Sequence, residues 1–169
     1  MTKPAARVAD EVAHILPPVL TGTFGSPDVL IGGRPAWRGI SAAQLAQLIE
    51  AIKEATKEIK KAELASELAE GSSAAPAAKA NEKKVKAGQA KKLADLIKSF
   101  MPADIHMCIM ILPPPAHGPG VVVGSNSVFI NGQPACRVGD EILESNVKAN
   151  IPPINNRITK GCETVFIGD

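Results

Sequence analysis

The sequence predicts a mainly β fold: a small cone of three pseudo-threefold β-hairpin repeats with an inserted α-helical hairpin. Three observations lead there. Residues 25–38 (GSPDVLIGGRPAWR) and 124–137 (GSNSVFINGQPACR) both fit the pattern G-S-x-x-V-[LF]-I-x-G-x-P-A-x-R. A third copy opens at Gly161 (GCETVFIGD) and is completed from the other end of the chain by Lys3-Pro4-Ala5-Ala6-Arg7. The copies are unequally spaced, 37 residues from Gly124 to Gly161 but 99 from Gly25 to Gly124, and the excess of 62 marks an insertion in the second unit. Such self-similarity is the mark of a fold built by repeating one supersecondary unit. The chain reads as a circle of three units cut in the turn of the third, so its two ends are expected to lie together.

Each unit reads as a hairpin. V-[LF]-I is a short strand of β-branched and bulky apolar residues. Gly32-Gly33 and Asn131-Gly132 are tight-turn pairs that tolerate positive φ. Pro-Ala-x-Arg returns as a second strand, with proline fixing φ at its start. Small residues at Ala5, Ala36 and Ala135 allow three strands to approach an axis. One such hairpin is marginal in water, whereas three can share a core.

The spacing from each arginine to its aspartate locates the insert. Arg7-Val8-Ala9-Asp10 matches Arg137-Val138-Gly139-Asp140, but Arg38-Gly39 meets its aspartate only at Asp104. The insert therefore spans residues 40–103, and the cone comprises 1–39 and 104–169. The insert is alanine-rich and carries 11 lysines against 8 carboxylates, a net +3. Residues 41–70 have helical spacing, with Leu45, Leu48, Ile49, Ile52 and Ile59 on one face and Ala62 continuing it. Ser41 is the expected N-cap and Gly71 the stop. Residues 71–80 are expected to form a mobile tip. Residues 81–100 read as a second helix, with Val85, Leu93, Leu96, Ile97 and Phe100 apolar; Gly88 weakens it by roughly 1 kcal/mol relative to alanine. Two apolar-striped helices with a short connection make an antiparallel pair.

Composition narrows the functional classes. A net charge of +2 argues against a polyanion-binding surface. Only Phe24, Trp37, Phe100, Phe129 and Phe166 are aromatic, too few and too scattered for a base-stacking platform, so no nucleic-acid partner is expected. The longest near-apolar run, residues 105–115, contains His106 and three prolines and is too short to span a bilayer, so the chain is not expected to be an integral membrane protein. Residues 1–4 lack the apolar core of a signal peptide, which predicts synthesis in the cytoplasm and any export without a cleaved signal. Three cysteines cannot all pair within one chain.

These repeats resemble the PAAR-repeat family, whose Pro-Ala-Ala-Arg motif stands at Pro4 to Arg7. The resemblance covers residues 3–39 and 104–169. It implies a small β-rich cone capping the trimeric valine-glycine-repeat (VgrG) spike of the type VI secretion system, one tip per trimer. It also implies a tip sharpened by one bound zinc ion, helping to carry effectors across target membranes. The tip would be a monomer by itself, translocated with the spike. Two copies depart from the motif at its third position, Pro35-Ala36-Trp37-Arg38 and Pro134-Ala135-Cys136-Arg137, so that position must accept a larger side chain. The insert lies outside the minimal family cone. It is read either as an adaptor for a cargo protein or chaperone, or as a decoration that stabilises the cone. No toxin segment follows Asp169, so cargo is expected to be bound rather than fused.

The resemblance also implies a zinc loop at the Asp-x-His-x-Cys run of Asp104, His106 and Cys108, joined by His14 in the first loop and His117 before a glycine-rich return. Three imidazoles and one thiolate suit tetrahedral zinc. Loop three offers only Glu144 as a substitute ligand. A closed four-ligand site is structural, because catalysis needs an open position for water. The chain is therefore not expected to be an enzyme, the alternative being a zinc-dependent hydrolase or toxin. Cys136 and Cys162 are read as small buried residues, Arg7, Arg38 and Arg137 as structural partners of Asp10, Asp104 and Asp140, and Trp37 as packing against the helical hairpin.

Overall fold

The computed structural model describes residues 1–13, 19–107, 118–147 and 156–168. In chain order the elements are β1 (Lys3–Ala5), β2 (Leu30–Ile31), β3 (Arg34–Pro35), α1 (Ala42–Leu68), α2 (Ala75–Lys98), β4 (Ile105–His106), β5 (Gly120–Val122), β6 (Phe129–Ile130), β7 (Gln133–Pro134), β8 (Ile142–Glu144) and β9 (Cys162–Ile167). Helix accounts for 36% and strand for 27%, so the fold is mixed α/β and the mainly β expectation is corrected. The reason is element length. Among the described residues, every strand except β9 is two or three residues long, whereas the helices run for 27 and 24. A tight turn needs only a couple of residue pairs to close a hairpin, while a helix, once nucleated, gains a hydrogen bond with each added residue.

The three repeats fold alike. In β2–β3 the register is Leu30↔Pro35 and Ile31↔Arg34; in β6–β7 it is Phe129↔Pro134 and Ile130↔Gln133. The split copy is reassembled in space, since β9 pairs with β1 through Phe166↔Pro4 and Ile167↔Lys3. Gly32 and Gly33 (φ 54° and 80°) and Asn131 and Gly132 (φ 51° and 75°) make the two-residue turns, which require positive φ at both central positions.

Backbone hydrogen bonds close the repeats into a ring. The Ala6 N–H donates to the Cys136 carbonyl (2.8 Å), the Cys136 N–H to the Trp37 carbonyl (3.1 Å), and the Trp37 N–H to the Ala6 carbonyl (3.0 Å). A second triangle joins Val8 to Pro35 (2.9 Å), Gly39 to Pro134 (2.7 Å) and Val138 to Pro4 (2.9 Å). Each unit thereby satisfies the buried polar backbone of the next, which a single hairpin cannot do for itself. Ala5, Ala36 and Ala135 are buried beside Ile31, Cys162 and Ile167. The variable third position, Ala6, Trp37 and Cys136, is buried in an adjoining cluster with Val12, Leu20, Val122, Ile142 and Ile158. Trp37 thus packs within the ring and not against the helices: one indole beside an alanine and a cysteine fills the axis without overpacking it.

The helical pair leaves the ring through a narrow neck. At its start the Ser41 hydroxyl accepts from the Gln44 N–H (3.3 Å) and Gln44 Oε1 accepts from the Ser41 N–H (2.8 Å), a reciprocal cap. Gln44 Nε2 also donates to the Phe100 carbonyl (3.1 Å), tying the start of α1 to the end of α2. Leu48, Leu93, Ile97 and Phe100 pack there with Ile40, Ile105, Val121 and Leu143 from the ring side. Ile49, placed by the periodicity on the buried face, is exposed, because its neighbour Leu48 points straight into the core and successive helical side chains diverge by about 100°. The second helix starts at Ala75, earlier than the expected 81, so the connection is residues 69–74. Pro76 sits in the first turn, where an N–H is not needed, and alanine is the best helix former. Gly71 ends the first helix region with φ 76°. Among the described residues no helix is long and apolar enough to cross a membrane.

Candidate functional site

Three arginine–aspartate pairs stand at equivalent points of the ring. Asp10 accepts from Arg7 at its backbone N–H (2.8 Å), Nε (3.0 Å) and Nη2 (2.9 Å). Asp104 accepts from the same three groups of Arg38 (2.9, 2.9 and 3.1 Å). Asp140 accepts from the Arg137 N–H (2.9 Å) and Nε (3.1 Å). The structural reading of these pairs is borne out. Burial pushes the Asp140 carboxyl above its ordinary range, against the hydrogen bond and charge of Arg137. Hydrogen bonding to Asp10 raises the Arg7 guanidinium, and Asp10 also receives Arg34 from the neighbouring unit. Cys136 and Cys162 are both buried, as expected. Burial, reinforced by the carboxylates of Asp140 and Asp104, pushes the Cys136 thiol far above its usual range, so it behaves as a small apolar residue.

After each aspartate the chain runs into a short strand or bridge, and these are joined into a continuous rim. Val12 bridges Ile158, Glu11 bridges Val19, Gly22 bridges His106, and Glu141 bridges Arg157. His106 pairs with Gly120, which pairs with Glu144. An imidazole, a glycine and a carboxylate therefore occupy one register row of the β4–β5–β8 sheet, with His106 and Glu144 both buried. Glu144 Oε1 accepts from Asn156 Nδ2 (2.7 Å). Of the four expected metal ligands only His106 is described; His14, Cys108 and His117 lie outside the described residues. Among the described residues no group of three or more His, Cys, Asp or Glu side chains is gathered. His106, the one described ligand of the expected set, is a buried imidazole, a donor type that zinc accepts.

A second feature lies on the hairpins. Leu30, Phe129 and Phe166 occupy the same position in the three units and are 63%, 56% and 56% exposed. The flanking Val29, Ile31, Val128, Ile130 and Ile167 belong to the core cluster of the ring. Alternation along the strand explains this in the first two units, where inward residues on either side turn the middle one outward; in the third only Ile167 faces inward, and Val165 is itself 38% exposed. Reading V-[LF]-I only as strand-forming misses the outward triad. Period-two alternation within the repeated tripeptide is the signal that could have found it. The hairpin turns also interlock, with Asn131 Nδ2 donating to Asp28 Oδ1 (2.8 Å) and Ser125 Oγ to the Gly168 carbonyl (3.0 Å). Hydrogen bonds from Asn131 and then Ser26 hold the Asp28 carboxyl below its usual range.

Comparison with family models, with curated proteins and with solved structures found no match to this chain.

Proposed function

We propose that the protein is the structural tip of a contractile injection spike of the type VI kind, capping a VgrG-type trimer, with the helical insert as an adaptor for a cargo protein or chaperone. The observation that carries this is the outward triad of Leu30, Phe129 and Phe166 around a closed triangle of backbone hydrogen bonds. A large apolar side chain exposed at one position is common on a protein surface, but the same exposed position repeated in each unit is a patterned feature that points to a contact. Three equivalent ones around one axis match a partner that offers three equivalent sites, and a homotrimer does so by symmetry. The PAAR-like repeats support the same reading. In it the protein is a mechanical part and not an enzyme. It is monomeric before docking, made in the cytoplasm and delivered with the spike.

Mixing the chain with its cognate spike trimer should give a complex of one chain per trimer by light scattering on a sizing column. No complex, or three chains per trimer, would sink the proposal.

Zinc is proposed as the structural ion of the loop rim, held by His14, His106, Cys108 and His117. When bound, it would cross-link the loops that carry these residues and stabilise the folded state alone. Metal analysis should find one zinc per purified chain, reduced in His14→Ala, with chelation lowering the melting temperature of the parent. A metal-free chain indifferent to added zinc would reject this assignment.

A further inference from the structure

A basic groove with an apolar floor runs along the outer side of α1. Ile52 and Leu64 form its floor, Lys53, Lys57, Lys60 and Lys61 line it, and its volume is about 580 Å³. It arises from how the two helices meet. Beyond the neck, the residues that α1 buries are Ala55, Ala62 and Ser66. Small residues let the helices approach closely but bury little apolar surface between them. The bulkier Leu64 and Leu68 are left outside, both exposed, with Ile49 also exposed. Leu45, Leu48, Ile52 and Ile59 turn toward the core, so the apolar surface of α1 without a partner in this chain is Leu64 and Leu68, with Ile52 only partly covered.

We propose that this groove receives an acidic amphipathic helix of a partner protein, laid along α1 as the third helix of a bundle. The inference rests on the adaptor reading of the insert and names the chemistry of what it adapts. Charge selects the occupant. All the charged residues lining the groove are lysines. Lys53, Lys57 and Lys61 pair with Glu50, Glu54 and Glu58 at 3.6, 3.8 and 2.8 Å. Such solvent-accessible pairs are weak and rearrange readily, so the ammonium groups can turn toward incoming carboxylates. Lys60 has no carboxylate partner among the described residues. By contrast Lys86, at the seam between the helices, is held by Glu63 (2.8 Å) and Glu82 and is not available.

Alternative occupants fit less well. A second copy laid against the groove through α2 would bring like charges together, since α2 carries seven lysines against Glu82 and Asp95; one laid through α1, which carries five glutamates and four lysines, is the dimer against which Leu64→Asp is tested. A lipid surface is flat and would leave the floor between the lysines unfilled. Ile52 to Leu64 covers a helical length of roughly 18 Å, which a partner helix of about three turns would span. Its leucines would meet Ile52 and Leu64, and its flanking carboxylates would meet the lysines, the arrangement used along coiled-coil seams.

The test uses the full chain and a designed peptide of about three heptads, with leucines at the seam positions and glutamates flanking them. Its counterpart carries lysines at the flanks. Binding is read by fluorescence anisotropy. The acidic peptide should bind at least about tenfold more tightly than the basic one. Lys57→Glu with Lys60→Glu should reverse that preference, and Leu64→Asp should weaken both peptides. These positions are exposed, so circular dichroism should show unchanged helicity. Three results would overturn the proposal: equal or absent binding of the two peptides; co-flotation with phosphatidylglycerol vesicles, lost in the Lys57/Lys60 variant, without peptide binding; or a concentration-dependent dimer abolished by Leu64→Asp. Spike capture is measured on the same variants. Failure of the peptide with the spike complex intact removes only the groove assignment, and the converse removes only the docking assignment.

Discussion

Asp104→Ala should destabilise the folded chain by about 3–5 kcal/mol, the cost of stranding the partner of a buried ion pair. Arg38 and Asp104 are both buried. Asp104 accepts from the Arg38 N–H, Nε and Nη2, and also from the Thr23 hydroxyl (2.8 Å). Alanine would leave the Arg38 N–H and Nε and the Thr23 hydroxyl without that acceptor, with only Nη2 still held, by the Gly25 carbonyl at 3.0 Å. The pair also stands at the neck, joining residues 66 apart in sequence where its counterparts join residues three apart. Urea denaturation followed by circular dichroism would measure the loss. Arg38→Met combined with Asp104→Leu should recover much of it, because removing both charges abolishes the unpaired one. A loss below about 1 kcal/mol in the single variant would show that the neck is held by packing alone.

Aspartate at Leu30, Phe129 and Phe166 together should abolish docking on a spike trimer while leaving the isolated chain as stable as before. Exposed substitutions of this kind usually change stability by no more than about 0.5 kcal/mol. Each apolar anchor at a well-packed contact is worth about 2 kcal/mol or more, so each single variant should weaken binding roughly thirtyfold. The diagnostic is equality. A partner with true threefold symmetry should respond similarly to Leu30→Asp, Phe129→Asp and Phe166→Asp in isothermal titration. A large effect at one position with none at the other two would overturn threefold docking.

The hairpins are legible in the sequence because the chain repeats itself in the residues that set strand, turn and return. Copies that share V-[LF]-I and P-A-x-R must share a register. The insert is legible because Asp104 stands where an Arg-x-x-Asp spacing is broken. The fold class is misread from sequence because a conspicuous motif occupies few residues once folded, while an unremarkable alanine-rich stretch supplies most of the regular structure. Residues 75–80 read as part of a tip because proline and serine draw attention to a turn, yet proline is at home in a first helical turn. Trp37 reads as a partner of the helical hairpin because it is near the insert in sequence; in space it lies where the three units meet. His106 and Glu144 are each legible in the sequence as ligand-type residues, but their register row with Gly120 follows only from strand pairing, since Gly120 and Glu144 fall outside every repeated motif.

The neck has a consequence for how such a chain can change. The backbone N–H of Asp104 donates to the Arg38 carbonyl at 2.9 Å, as Asp10 does to Arg7 (3.1 Å) and Asp140 to Arg137 (3.2 Å). The insert therefore departs from and returns to two points that a simple turn would join anyway. Lengthening a loop with such fixed ends costs only about 0.6 kcal/mol per doubling. The turn is a graft port: segments of very different size can be exchanged there, provided they cover Ile40, Ile105, Val121 and Leu143, which the helices now bury. Its two equivalents, at residues 7–10 and 137–140, offer the same opening for attaching new modules by design.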